Sequence, residues 1–75
     1  MTQLSDLRVG QRGRVVEVAG ADQISQRLLE MGVLAGVEIQ VAGSAPLGDP
    51  IELELRGYRL SVRRTEAQRI TVETL

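Results

Sequence analysis

Cysteine and histidine are both absent from the 75 residues, and so are lysine, tryptophan and phenylalanine. Without cysteine there is neither a disulfide framework nor a thiolate metal site, and without histidine the commonest transition-metal ligand and the commonest general base are missing. Most catalytic schemes thereby lose their central residue, and the chain reads as a protein that is not an enzyme. Tyr58 is the one aromatic residue, too little for the stacking platforms of single-strand nucleic-acid binders or the grooves that hold proline motifs. Nine basic against ten acidic residues leave a net charge of -1, without the positive footprint that phosphate neutralisation demands. No apolar run approaches the roughly 18 residues of a membrane span. The segment after Met1 carries Asp6 and no apolar stretch, unlike a signal peptide. A cytoplasmic protein with no nucleic-acid partner and no membrane insertion is expected.

A chain of 75 residues fits a single domain, spanning 1–75, and buries only about 60% of the surface its unfolded form exposes. With 43% apolar and 25% charged residues its balance is that of an ordinary globule. Arg14-Val15-Val16-Glu17-Val18 has the β-branched content of a first strand. A helix follows over 22–31, with Asp22 as N-cap and Ile24, Leu28 and Met31 on one face. Gly32 suits the left-handed position after its last turn, with Val33 placed to touch Leu28. From Val37 the period becomes two, with Val37, Ile39 and Val41 on one side and Glu38 and Gln40 on the other. The stretch 43–50 is a loop dense in glycine and proline.

Beyond that loop, Ile51, Leu53 and Leu55 alternate with Glu52 and Glu54, and Tyr58, Leu60 and Val62 alternate with Arg59, Ser61 and Arg63. If Arg56-Gly57 is a two-residue hairpin turn, Leu55 faces Tyr58, Leu53 faces Leu60 and Ile51 faces Val62, all on one face. Glu54 then lies opposite Arg59 as a cross-strand ion pair, and a one-residue slip would turn the apolar set into water. A single helical turn over 64–68 and a last strand through Ile70 and Val72 complete the order. The fold expected is mainly β, a small SH3-like barrel of about five strands with one short helix inserted after the first strand, its closure hiding most of the sheet edge.

No motif carries chemistry. The ten carboxylates read as surface, capping and turn groups, with Glu52 and Glu54 beside arginines, Asp22 at a cap and Asp49 between Gly48 and Pro50, so neither a cofactor nor a metal site is expected. The glycines at 10, 43 and 48 lack a phosphate-loop spacing. Arg56, Arg59, Arg63 and Arg64 gather around the hairpin, either as a docking patch for acidic surfaces or lipid head groups or as a solvated face neutralised by the interleaved glutamates. Leu47, flanked by Pro46 and Gly48, is either a low-entropy anchor for a partner's pocket or, the more economical expectation, a lid folded back over one end of the barrel. Leu29 and Leu34 pose the same choice between core and contact, whereas Met31 is expected in the core. Pro46, Leu47, Asp49 and Arg59 are the residues expected to contribute to any partner contact.

Taken in order, Leu4-Ser5-Asp6-Leu7 with Gly10, Arg27-Leu28-Leu29-Glu30-Met31-Gly32-Val33 with Gly36, Ala45-Pro46-Leu47-Gly48-Asp49-Pro50-Ile51, Arg56-Gly57-Tyr58-Arg59-Leu60-Ser61-Val62-Arg63 and Glu66-Ala67 resemble the ferrous iron transport protein A (FeoA) family. The resemblance runs through nearly the whole chain, departing slightly at Ser61, where a small apolar residue is expected. It implies a cytoplasmic SH3-like accessory protein that binds and assists or regulates ferrous iron transport protein B, the membrane GTPase transporter, and it offers no catalytic residues to carry over. A similar module ends some iron-dependent transcriptional regulators, so the alternative function is that of an SH3-like regulatory module of such a regulator or of a nucleic-acid-associated protein.

Overall fold

The alternating pattern resolves into six strands and two helices in the computed structural model, which describes every residue from Met1 to Leu75. Strand β1 is Thr2–Gln3, followed by a 3-10 turn over Leu4–Asp6, β2 (Arg12–Val18) and helix α1 (Gln23–Glu30). Then come β3 (Glu38–Ser44), β4 (Ile51–Leu55), β5 (Tyr58–Val62), helix α2 (Arg64–Ala67) and β6 (Ile70–Thr74). The sequence pattern accounts for five of the strands. The sixth, β1, is only two residues long and has no alternation to betray it; it exists because Thr2 and Gln3 pair with Val72 and Thr71 of β6.

All neighbours in the sheet are antiparallel, in the order β1-β6-β2-β3-β4-β5. The sheet curls around a core of fifteen buried apolar side chains, with Leu28 of α1 plugging one end and Leu4 and Ala67 contributing from the two short turns. The hydrogen-bonded ladder does not close, because β1 and β5 are its two ends. Edge exposure is therefore greater than closure would have left, and β5 in particular has one unpaired side.

Two register shifts interrupt the regular alternation of the sheet. In β2, Val15 pairs with Val72 and Glu17 with Thr71, so Val16 is an extra residue. The bulge resets the side-chain parity: Val15 is buried, Val18 packs against the core and Val16 turns outward. In β3 the shift falls between Val41 and Gly43 and brings Ser44 opposite Ile51 as the strand leaves the sheet.

Helix α1 ends as expected. Asp22 accepts a hydrogen bond from the Ser25 amide at 3.2 Å, which satisfies one of the orphan N–H groups of the first turn. At the other end the amide of Val33 donates to the Leu28 carbonyl and that of Gly32 to the Leu29 carbonyl, each at 3.0 Å, the paired bonds of a Schellman ending. Gly32 has φ 98° and lies under the Tyr58 hydroxyl, where any Cβ would collide.

Candidate interaction site

The hairpin joining β4 to β5 takes the register expected: Leu55 opposite Tyr58, Glu54 opposite Arg59, Leu53 opposite Leu60, Ile51 opposite Val62. Its two turn residues, Arg56 and Gly57, have φ of 50° and 83°, the positive values that a type I′ turn needs to match strand twist. Ile51, Leu53, Leu55 and Val62 are buried, while Tyr58 at the rim remains 41% exposed and donates its hydroxyl to the Met31 carbonyl. One detail differs. Arg59 is opposite Glu54 along the backbone, but its guanidinium reaches the diagonal neighbour Glu52 at 3.6 Å, a distance at which an exposed pair contributes little.

At the other end of β4, the loop over 45–50 is closed by its own backbone. The Gly48 amide donates to the Ala45 carbonyl at 2.7 Å and the Ala45 amide to the Pro50 carbonyl at 3.0 Å. Pro46 at the first corner and Gly48 at the fourth position fit a tight turn, and Leu47 occupies the remaining corner. It is 97% exposed. The lid expectation is thereby corrected: Leu47 stands in solvent at the turn's corner and takes no part in the core. Leu29 and Leu34 are also exposed rather than core, whereas Met31 packs against the core.

The loop is braced from outside by Arg64, the first residue of α2. Its Nε donates to the Gly48 carbonyl at 2.6 Å, its NH1 to the Ser5 carbonyl at 3.1 Å, and its amide to an Asp49 carboxylate oxygen at 3.0 Å. Of the four residues expected to make contacts, Pro46, Leu47 and Asp49 thus share one tip, while Arg59 lies toward the turn end of the hairpin. The arginine beside the loop is Arg64, while Arg59 stays in the hairpin. The hairpin register distinguishes the two arginines: Arg59 faces Glu54, whereas the same register continued past Val62 sets Arg64 level with Asp49.

Glu66 was missed altogether. It is 7% exposed, accepts from the Arg63 amide at 2.8 Å through Oε1, and pairs through Oε2 with Arg27 of α1. It both caps α2 and ties it to α1. The available signal was a glutamate three residues into the turn, half of a capping box, but with arginine rather than Ser or Thr at the cap. A second link between elements joins Arg69 to Asp22 at 2.6 Å. The Arg69 guanidinium, and then the Ser25 amide, hold the Asp22 carboxyl below its ordinary value. No three Asp or Glu side chains gather into a group. No helix is long and apolar enough to cross a membrane.

Comparison with known proteins gives this architecture a lineage. The profile of the FeoA domain matches residues 2–74. The chain belongs to the FeoA family. A curated relative from Porphyromonas gingivalis, named as a fusion of Fe(2+) transport protein A with the Fe(2+) transporter FeoB, is 38% identical over 73 residues, which is 97% of this chain and 9% of the fusion protein. The chain therefore spans a small part of that relative. The FeoA protein from Chlorobium tepidum is 42% identical and superposes with a TM-score of 0.91 over 99% of this chain and 70% of its own. FeoA from Stenotrophomonas maltophilia, solved with zinc and described as an SH3 domain protein, is 28% identical with a TM-score of 0.85 over 97% and 91%. The mainly β, SH3-like fold with a short helix is thus a property this FeoA chain shares with its relatives. A manganese-dependent transcriptional repressor also carries it, at 24% identity, TM-score 0.89 and 36% of that protein's length, a likeness of fold alone.

Proposed function

We propose that this FeoA chain is a non-enzymatic accessory protein of ferrous iron uptake, which acts on the cytoplasmic side by binding the membrane GTPase transporter FeoB and assisting or regulating it. The observation that carries the reading is Leu47, an apolar side chain almost wholly in water on a loop held rigid by Arg64. Such a side chain loses little conformational freedom on docking, and its burial in a partner's pocket is favourable. The P. gingivalis fusion protein supports the choice of partner, since it joins the two functions in one chain. Iron in this reading is the transporter's cargo, and the accessory chain needs no resident metal.

Pro46 and Asp49 shape the tip and complete the contact; Arg59 contributes from the neighbouring hairpin. The test is co-purification with the cytoplasmic domain of the transporter. Leu47→Arg is expected to reduce the bound fraction about tenfold or more, as loss of a central apolar anchor does, while circular dichroism stays that of the folded chain. Unchanged binding by the folded variant removes the loop from the interface, and absence of any complex with the parent chain ends the reading itself. The alternative, a regulatory module of an iron-dependent transcriptional regulator, is favoured by the repressor's fold only and makes no use of Leu47.

A further inference from the structure

Strand β5 ends the sheet. Because Leu55 and Tyr58 flank a two-residue turn, they form a hydrogen-bonded pair, and alternate residues Tyr58, Leu60 and Val62 bond to β4. Arg59 and Ser61 turn their backbone N–H and C=O groups the other way. No hydrogen bond outside the ladders uses those groups, and both residues are exposed. Beside this edge lies a groove of about 350 Å³ lined by Arg27 of α1, Met31 just past the end of that helix, Pro50 before β4, and Ser61, Val62 and Arg63. Met31 and Val62 give this groove an apolar part among polar and charged neighbours, a surface on which the inward side chains of an added strand can rest.

The charge along the edge has one sign. Arg56, Arg59 and Arg63 follow one another with no carboxylate between them. The five ion pairs of the chain employ neither Arg56 nor Arg63, and Arg59 is held only at 3.6 Å by Glu52. Glu66, the one acid lining the groove, has both oxygens engaged, by Arg27 and by the Arg63 amide. A second copy of the chain on this edge would bring two such arginine rows onto a single seam, like charge against like. An acidic strand meets no such opposition.

We propose that the free edge of β5 receives an extended acidic segment of a partner protein by strand addition. The segment's backbone bonds to Arg59 and Ser61, its carboxylates meet Arg63 and Arg56, and its inward side chains enter the groove next to Met31. This deepens the accessory-protein reading, on which it rests only for the identity of the partner, and it makes the edge a second contact continuous with the Leu47 loop through Pro50.

The test uses the full chain, labelled for amide NMR, and two short capped peptides, one alternating Thr with Glu and one alternating Thr with Lys. The acidic peptide is expected to shift the Arg59 and Ser61 amides and slow their exchange, whereas the basic one leaves them unchanged. Ser61→Pro removes an outward N–H that the free chain does not use, a replacement edge strands tolerate, and it should weaken the acidic peptide about tenfold. Should that variant unfold, Arg63→Glu, with the same expected loss, takes its place. Unmoved edge amides at millimolar acidic peptide, an equal response to the basic peptide, or a concentration-dependent dimer in place of peptide binding each overturn the proposal. Run with the transporter's cytoplasmic domain, the same amide map separates the two readings. Protection of the loop without β5 overturns edge addition alone. No complex, alongside a retained response to the acidic peptide, overturns the choice of FeoB alone.

Discussion

Strand β4 is entered through the six-residue loop 45–50 and left through the two-residue turn Arg56-Gly57, and the two connections are stabilised by different means. The turn is local: two positive φ values close it, and a Cβ placed on Gly57 would meet nothing. The loop is fastened by Arg64, which follows the end of β5 beside it and also donates to the Ser5 carbonyl. A local turn sets the register of a hairpin and nothing more. A loop fastened from outside can hold an apolar side chain in water without collapsing, the stance needed for contact with another protein.

Breaking what both connections share should have the largest effect. Leu53, fully buried at the centre of β4, becomes a cavity in Leu53→Ala, at an expected cost of about 2 to 5 kcal/mol in chemical denaturation. At the turn, Gly57→Ala meets no neighbour, so its cost is backbone strain alone, roughly 1 to 2 kcal/mol. Arg64→Ala should cost about 1 kcal/mol, the net worth of a hydrogen bond or two. Its signature is faster amide exchange at Gly48 with the hairpin amides unchanged, and equal acceleration in both regions would show that the loop is not separately fastened. The smallest effect is a pH dependence. Since the folded Asp22 carboxyl is more acidic than its ordinary 3.8, its contribution is complete above that value and fades as pH falls through the lower, folded one. Between pH 5 and pH 2 the parent should therefore lose slightly more stability than Asp22→Asn, measured by denaturation midpoints.

Features encoded in short-range pattern were legible in the sequence. The parity of Ile51–Leu55 against Tyr58–Val62 fixes the hairpin register, and Asp22 and Gly32 fix the ends of α1. The site was half legible. Pro46, Leu47 and Asp49 stand out by composition, and the hairpin register continued past Val62 sets Arg64 level with Asp49, but Glu66 is partnered by an arginine 39 positions distant. Contacts at that separation leave no period to read. The bulge at Val16 is a third case: two adjacent valines cannot both face a core in a regular strand, and the partner strand decides which one yields.

Tyr58 places the chain's only aromatic chromophore across the seam between the end of α1 and the hairpin, with its phenol bonded to the Met31 carbonyl. A carbonyl acceptor at the hydroxyl dims phenol emission, so brightening of this single residue would signal that α1 has lifted from the hairpin. With no tryptophan to drown the signal, the protein carries an internal optical gauge for that movement without any added label.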